Sequence, residues 1–403
     1  MLTFNCYIVV SNTKKINPVK NFSFLIFFGI IFTIHFIVNY YIYYRGLQAL
    51  EGNPGLKVYF RWIMLILLLA YPLGRFLERI WYSPVSAIIH WIGAFWFAGM
   101  LYVVLLLFSA DIIKLINSIF HFLPAKGTDG FIKLKLFTGY GIATLTLLIV
   151  FTGFLNAWHP KIHRRTIHIP KQAGALKKLK IAAASDIHLG TIIGPRKTRK
   201  LVETINNLNP DIILLAGDVV DEDVGPVIRQ NLGESLGQLH APMGKYAITG
   251  NHEFIGGAER SVKYLEEHGL SILRDSVIAI NNNFYLAGRE DKDKVRFSGI
   301  PRRELSELLK DTDHQLPIIL LDHQPFNLDE ATSAAVDLQI SGHTHHGQLW
   351  PFGYLTEKIF EVSHGYKQKG NTHFMVSTGF GTWGPPVRTG NRPEILEITL
   401  HFE

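Results

Sequence analysis

The sequence predicts a chain of two parts, an N-terminal bundle of about four transmembrane helices and a soluble domain of the α/β or α+β class. Residues before about 158 are dominated by Phe, Ile, Leu, Tyr and Trp, whereas charged and apolar residues alternate beyond that point. From Lys180 onward, short apolar strands alternate with amphipathic helical stretches, which is typical of a sheet covered by helices. The predicted boundaries are 1–158 for the transmembrane helical domain, 159–179 for a basic linker and 180–403 for the soluble domain.

Four long apolar runs support the transmembrane prediction, because a helix needs roughly 20 apolar residues to cross the hydrocarbon core. They cover residues 22–44, 58–74, 84–108 and 136–158. The second run is the weakest, since Arg61 lies near its start and Pro72 near its end. Buried helices of a soluble protein are the alternative, but four such runs in succession argue against it.

The distribution of Lys and Arg predicts how the chain is oriented, since cytoplasmic loops carry the excess of these residues. With four spans both termini share one side, and that side carries more of them, including Lys14, Arg75 and Arg165. The protein is therefore expected to be a multi-pass inner-membrane protein with its soluble domain in the cytoplasm. A misplaced second span would reverse this orientation. The basic residues of 159–179 fit either binding to anionic headgroups or a merely solvated linker.

The cysteine content limits the chemistry of any site. Cys6 is the one cysteine of the sequence, so internal disulfides and thiolate metal clusters are excluded. The formal net charge of +7 is modest for 403 residues. It gives no reason to expect a nucleic-acid partner.

Polar residues follow the apolar strands of the soluble domain at the points where the strands end. The runs KIAAAS, DIILLAG, KYAITG, PIILLD and VDLQISG are followed by Asp186, Asp218, Asn251 with His252, His323, and His343 with His345. Open α/β sheets gather their ligands at such strand ends. Carboxylate, amide oxygen and imidazole together suit Mn, Fe or Zn. Gly217 and Gly250 precede two of these residues and permit a close backbone approach.

Each of these features has an ordinary explanation when it is taken alone. An Asp after a strand is usually a turn or cap residue, GNH is a common turn, and a single His323 is more often a core or surface histidine. The sequence GHTH alone is also weak support for a ligand pair. Their occurrence together, in order and each at a strand end, is what indicates a shared metal site.

The motifs SDIHLG, AGDVVD, GNHE, DHQP and SGHTHHGQ, in that order, resemble those of the calcineurin-like metallophosphoesterase superfamily. The resemblance covers about 180–403. With GTWGPPVRTGNRPEI at 381–395, the chain looks similar to the bacterial membrane-attached branch, which is often described as similar to UDP-2,3-diacylglucosamine hydrolases. The resemblance implies a metallophosphoesterase β-sandwich flanked by helices.

The resemblance also implies a role for each matching residue. Two divalent metal ions (Mn, Fe or Zn) would be held with Asp218 between them, and a hydroxide bridging the ions would attack phosphorus. The implied ligands are Asp186, His188, Asp218 and His345 for one ion, and Asp218, Asn251, His323 and His343 for the other. His252 would act beside the metals as the catalytic residue, oriented by Asp221. His346 receives no role beyond supporting the site or forming the turn.

The substrate is less constrained, because members of this superfamily hydrolyse protein, nucleotide, nucleic-acid and lipid phosphoesters. Attachment to apolar helices favours a lipid-linked phosphodiester or pyrophosphate, with the bilayer as partner. In this interpretation the aromatic and basic segment 350–390 walls the cleft and Arg388 binds substrate phosphate. The alternative is an aromatic core with solvated charges. A phosphodiesterase of soluble nucleotides that is merely anchored, and a non-catalytic membrane sensor or scaffold, stay open as other functions.

Overall fold

A computed structural model describes residues 18–403, with side chains from residue 29 onward. Four helices form its N-terminal region: α1 (Pro18–Ala49), α2 (Pro54–Ile80), α3 (Pro84–Phe120) and α4 (Asp129–Ala157). Proline is suited to the first helical position, because its missing N–H would have no partner there. Pro54 and Pro84 therefore mark where α2 and α3 begin.

Three helices within the described residues, α2, α3 and α4, are long and apolar enough to cross a membrane. They contain the second, third and fourth predicted spans. The first predicted span, 22–44, lies inside helix α1, but the side chains of residues 22–28 lie outside the described part of the chain. Lys14 and Cys6 lie outside it as well. The total of four spans and the orientation therefore stay predictions.

The chain divides into two compact units that cut across the predicted boundary at residue 158. One unit comprises the described residues up to Met64 together with His121–Gly139, and the other comprises Leu65–Phe120 and Tyr140–Glu403. In the second unit Val387 packs with Ala98 of α3 and Phe154 of α4, and the buried Lys197 donates a hydrogen bond to the Ala157 carbonyl. Composition alone could not reveal these contacts, since an apolar side chain suits lipid and protein neighbours equally.

Twelve strands in the described residues form two six-stranded sheets. The first has the order β1-β12-β2-β3-β4-β5 and the second β10-β11-β9-β8-β7-β6. The strands are β1 Lys161–Ile169, β2 Lys178–Ala184, β3 Ile212–Ala216, β4 Lys245–Ile248, β5 Ser271–Ile272, β6 Ser276–Ile280, β7 Phe284–Gly288, β8 Ile318–Leu321, β9 Leu338–Ser341, β10 Gly365–Lys369, β11 Thr372–Val376 and β12 Glu394–Phe402.

The helices of this region lie between the strands in sequence, and several are short. They are α5 Pro195–Asn206, α6 Val224–Arg229, α7 Leu232–Gly237, α8 Asn251–Gly256, α9 Ala258–Glu267, α10 Lys294–Ser298, α11 Leu305–Leu308, α12 Leu328–Ser333 and α13 Gly353–Ile359. A short 3₁₀ turn covers His345–Gly347.

The two sheets pack face to face around one apolar core, as the sandwich prediction requires. Ile181 and Leu214 of the first sheet belong to the same buried cluster as Leu286 and Ile340 of the second. The outer face of each sheet is covered by helices. Strands that are buried on both faces are apolar along their whole length, which explains the runs IILLA and IILL.

The predicted basic linker is wrong for residues 161–169, which form edge strand β1. This strand pairs in parallel with β12, from Lys161 opposite Glu394 to Ile169 opposite Phe402. Ile167 and Ile169 are buried in the core between the sheets, whereas Arg164 and Arg165 are exposed. The run of basic residues in the sequence obscured this alternation of buried and exposed side chains.

The strand order brings the carboxyl ends of several parallel strands to one region. Strands β2, β3 and β4 are parallel neighbours in the first sheet, and β8 and β9 are parallel neighbours in the second. Each of these strands ends immediately before one of the polar motifs. The ligand candidates are therefore expected to meet where the two sets of strand ends face each other.

Replacing Gly153 tests whether α4 packs against residues 387–389. A Cβ at Gly153 would lie 2.6 Å from Val387 Cγ1 and 2.7 Å from Thr389 Cγ2, whereas one at Gly141 on the same helix would meet nothing within 4 Å. We expect Gly153→Val to lower the free energy of unfolding by roughly 1–3 kcal/mol because of overpacking. Thermal unfolding in detergent, followed by near-ultraviolet circular dichroism, measures this effect. Gly141→Val is the matched control, and equal melting temperatures would contradict the contact.

Candidate metal centre and active site

The ligand candidates lie on tight turns at the strand ends. Asp186, His188, Asp218, His343 and His345 all have positive φ angles, between 45° and 69°. Such angles are uncommon for residues other than glycine, and strained backbone clusters at functional sites. The turns thus hold side chains inward in a conformation that the local sequence alone would not favour.

Three glycines make the close approach of these turns possible. A Cβ at Gly250 would lie 2.1 Å from Asp218 Oδ1, and a Cβ at Gly342 would lie 2.2 Å from Asp186 Oδ2. Any side chain at either position would therefore push a carboxylate out of the centre. Gly217 has a φ of +88°, and a Cβ there would lie 2.6 Å from His323 Nδ1. The close approach expected at Gly217 and Gly250 is thus present in the structure.

Asp186, His188 and His345 form the first group of possible metal ligands. The Nε2 atoms of His188 and His345 lie 3.0 Å apart. His345 Nε2 is also 3.6 Å from Asp186 Oδ1, and His188 Nε2 is 3.9 Å from Asp218 Oδ2. One cation would satisfy the converging nitrogen and oxygen atoms of this group at once.

Asp218, His323 and His343 form the second group. Asp218 Oδ2 lies 3.1 Å from His323 Nε2. His343 Nδ1 lies 2.9 Å from Asn251 Oδ1, so the amide joins this group. Asp218 approaches both groups. The structure therefore brings together all seven residues that the sequence proposed as ligands.

Metal binding requires neutral imidazole and ionised carboxylate, and His343, His345 and Asp218 meet this requirement. Burial opposes protonation of His323, but the charge of Asp218 holds its pKa well above the usual value, and burial raises the pKa of Asp186, so a bound cation would have to displace protons from these two. Burial and the charge of His323 lower the pKa of His343 to about 3. Burial, His188 and Arg388 hold the pKa of His345 well below its usual value. Burial opposes ionisation of Asp218, but the charges of His323 and His252 outweigh it and hold the Asp218 pKa well below its usual value. The donor set is thus one that Mn, Fe or Zn can use.

His252 and Asp221 form a pair beside the two groups. His252 Nδ1 lies 3.1 Å from Asp221 Oδ1, and the His252 and His188 rings meet edge to face at 4.5 Å. Burial opposes protonation of His252, but the charge of Asp218 and the hydrogen bond with Asp221 raise its pKa to about 9. These two carboxylates therefore favour the protonated form of His252, and Asp221 orients its ring.

Arg75 of helix α2 is a site residue that sequence reasoning missed. Its Nη1 lies 3.7 Å from Asp221 Oδ2, and its Nη2 donates to Glu222 Oε2 at 2.5 Å. Burial opposes ionisation of Asp221, but the nearby rings of His188 and His252 and the charge of Arg75 hold its pKa well below the usual value. No sequence signal connects an arginine in an apolar helix with a loop 146 residues further along the chain.

Glu253 is a second missed residue, although a signal for it was available. Its carboxylate accepts hydrogen bonds from the backbone N–H groups of Gly250, Asp218 and Val220. This buried side chain therefore ties the Asp218 loop to the start of α8. Glutamate three residues after the N-cap residue is one half of a capping box, and GNHE carries that half because Gly250 has no side chain.

Arg388 does not have the position that the sequence prediction gave it. Its guanidinium is fully buried and donates to the Gly379 and Gly381 carbonyls and to Asn391 Oδ1. Its Nη2 also lies 3.2 Å from His345 Nδ1. With its donors engaged in this way, Arg388 supports the His345 turn and does not offer a free guanidinium to substrate.

The remaining predicted features divide between core and surface. His346 lies outside both ligand groups: its Nδ1 is 3.0 Å from Ser363 Oγ, and its ring packs against that of His364 at 3.8 Å. In the segment 350–390, Phe380 is buried, whereas Trp350 and Trp383 are exposed. Neither the cleft-wall prediction nor the core alternative therefore describes the whole segment.

Comparison with known proteins agrees with this site. The family model described as calcineurin-like phosphoesterase matches residues 179–347. A metallophosphoesterase of Aquifex aeolicus is 33% identical over 258 residues, which cover 64% of this chain and 97% of that protein. The chain belongs to the calcineurin-like phosphoesterase family, and is a hydrolase of phosphoric esters.

Relatives with longer alignments include transmembrane proteins. A zebrafish (Danio rerio) transmembrane protein with a metallophosphoesterase domain is 29% identical over 77% of this chain and 74% of its own length. A metallophosphoesterase of Campylobacter jejuni is 27% identical over 94% of this chain and 98% of its own. These alignments extend beyond the phosphoesterase region, and they agree with the apolar helices in indicating a membrane protein.

Metal analysis of purified variants tests the ligand assignment. We expect about two divalent ions per wild-type chain, and fewer than one in Asp218→Ala because this carboxylate approaches both groups. Inductively coupled plasma mass spectrometry gives the ratio. Asp223→Asn, which replaces a carboxylate that caps α6, is the control and should keep the wild-type content. Full metal content in Asp218→Ala would refute the assignment.

Replacing Arg75 tests its link with Asp221. We expect Arg75→Ala to lower kcat about tenfold with little change in KM, because loss of a group that orients a functional side chain has effects of this order. Arg75→Lys should recover part of the loss. The control is Arg79→Ala, an exposed residue one turn further along α2. Equal kinetics of Arg75→Ala and Arg79→Ala towards bis(p-nitrophenyl) phosphate would refute the link.

Proposed function

We propose that this protein is a membrane-anchored phosphoesterase that uses two divalent metal ions to hydrolyse a phosphodiester or pyrophosphate bond of a lipid-linked substrate. The observation that carries the proposal is the convergence of the two ligand groups on Asp218, with His252 at their side. Divalent ions held by Asp186, His188, Asp218, Asn251, His323, His343 and His345 would neutralise phosphoryl charge and lower the pKa of a water molecule.

The residues of the chain itself provide the remaining chemistry. Hydrolysis forms a bond from a water oxygen to phosphorus and breaks the bond from phosphorus to the leaving oxygen, which then needs a proton. Asp218 and Asp221 favour the protonated form of His252, which can give that proton as a general acid. Asp221 stabilises the cationic ring and fixes its direction. Buried surroundings strengthen these electrostatic interactions relative to water.

The membrane attachment supports the lipid part of the proposal. Parts of α2, α3 and α4, which are long and apolar enough to cross a membrane, belong to the same compact unit as the site. A lipid phosphate at the bilayer surface would therefore be close to the centre. The excess of Lys and Arg on the side of the soluble domain supports a cytoplasmic location at the inner membrane. Similarity to UDP-2,3-diacylglucosamine hydrolases would give a substrate of this lipid-pyrophosphate type.

A product-release screen tests the proposal. Purified protein in detergent, supplied in turn with Mn, Zn or Fe, is assayed on phosphatidylglycerol, an isoprenyl pyrophosphate, cyclic and linear nucleotides, and bis(p-nitrophenyl) phosphate. We expect turnover of at least one lipid phosphate, with His252→Ala slower by about 10²–10⁴-fold because general acid–base catalysis contributes this much.

Two control variants accompany the screen. Asp218→Ala should be inactive for lack of metal, whereas His268→Ala, which changes a histidine at the end of helix α9, should retain activity. Turnover confined to soluble nucleotides would refute the lipid substrate. Equal inertness of wild type and both site variants on every phosphoester would favour a sensor or scaffold.

A further inference from the structure

We propose that an exposed apolar patch formed by Trp350, Phe352, Tyr354, Leu355 and Ile359 is embedded in the bilayer that the helices cross. In this arrangement the active site takes a lipid phosphate directly from the membrane. The uptake of a lipid phosphate from the membrane rests on the proposed function, whereas the position of the patch does not.

The side chains of the patch are unusually exposed for their size. Trp350 is 52% exposed, Phe352 44%, Tyr354 65%, Leu355 54% and Ile359 54%. Three of them belong to the short helix α13, so they project from one compact surface feature. Five large exposed apolar side chains within ten consecutive residues are typical of a surface that contacts another molecule or a membrane.

The depth of the patch follows from its contact with α3. The hydroxyl of Tyr102 donates to the Trp350 carbonyl at 3.1 Å and also contacts the Thr389 hydroxyl. Helix α3 runs from Pro84 to Phe120, so every stretch of about 20 consecutive residues within it, the length that crosses the hydrocarbon core, includes Tyr102. If α3 spans the membrane, Trp350 must therefore lie within the bilayer or at its interface.

The polar groups at this contact agree with such a location. Backbone and hydroxyl groups at membrane depth must be satisfied within the protein. Tyr102, Trp350 and Thr389 satisfy one another, because the Trp350 N–H also donates to Thr389 Oγ1 at 2.9 Å. Trp and Tyr side chains are favoured at membrane interfaces, and the patch contains one of each.

Residues that flank the patch in the chain contact the active site or its neighbours. Phe360, which follows α13 directly, has its ring 6.0 Å from that of His343. Gln348 binds the backbone of Trp383 through both atoms of its side-chain amide. The Trp383 ring, which is 58% exposed, lies 6.1 Å from the His252 ring. A lipid with its phosphate at the metal centre would thus have Trp383 and the patch beside its hydrocarbon part.

Spin labelling measures the position of the patch without reference to activity. In a Cys6→Ser background, Leu355→Cys carries a nitroxide, and the protein is reconstituted in vesicles of phosphatidylcholine and phosphatidylglycerol. We expect the label to be more accessible to oxygen than to a water-soluble nickel complex. Lys263→Cys, on an exposed side chain of α9, is the control and should favour the nickel complex. Nickel accessibility at both positions would overturn the proposal, as would spin–spin broadening from a second copy at Leu355→Cys.

Kinetics on two kinds of substrate test the consequence for catalysis. The double variant Leu355→Ser with Ile359→Ser should lower the ratio of isoprenyl pyrophosphate turnover in vesicles to bis(p-nitrophenyl) phosphate turnover about tenfold, because two apolar contacts with lipid are lost. The matched control is Val295→Ser with Ile300→Ser, two other exposed apolar residues, and should keep the wild-type ratio. An unchanged ratio in the Leu355 and Ile359 variant would overturn direct uptake from the membrane. Wild-type inertness on both substrates would instead refute the proposed function, and the spin-label result would still decide the location of the patch.

Discussion

The structure of this protein depends on holding several acidic and imidazole groups together in one buried place. Asp218 lies at the centre of this arrangement, since it approaches both ligand groups and accepts a hydrogen bond from the backbone N–H of His252. Buried charges are costly unless they are paired. Here carboxylates face imidazoles, and the set as a whole has the composition that divalent cations require. The two sheets and the helices that cover them hold these side chains in position.

The sandwich provides the rigidity for this task. Five of the ligand residues have left-handed backbone angles, each of which costs on the order of 1–3 kcal/mol. Local turns could not retain such angles alone. The buried cluster between the sheets and the helices on their outer faces fix the positions of the strand ends. The strained backbone angles therefore persist at the site.

The apolar helices contribute to the catalytic unit beyond anchoring it. Arg75 reaches Asp221 and Glu222, Lys197 binds the end of α4, and Tyr102 holds Trp350 and Thr389. These contacts connect α2, α3 and the end of α4 with the loops that carry Asp221, Trp350 and Thr389 and with helix α5. The apolar helices therefore help to position loops around the site.

The sequence by itself determined the apolar helices, the strand–helix alternation and the ligand residues. These features depend on periodicity and on short motifs at strand ends, both of which are local. The seven candidate ligands could be named because each follows an apolar strand, and the turn glycines Gly217 and Gly250 could be named because they precede two of them.

Only the tertiary structure decided which residues support those ligands and which elements belong together. Arg75 acts on Asp221 across a long separation in sequence, Arg388 supports His345 from a buried position, and residues 161–169 form an edge strand where a basic linker was predicted. The sequence of an apolar helix is the same whether lipid or protein covers the helix. Likewise, the sequence does not distinguish a basic side chain that binds substrate from one that binds a carboxylate or a backbone carbonyl. The partner of each such group is fixed by packing between distant segments, and this is information that local sequence patterns do not contain.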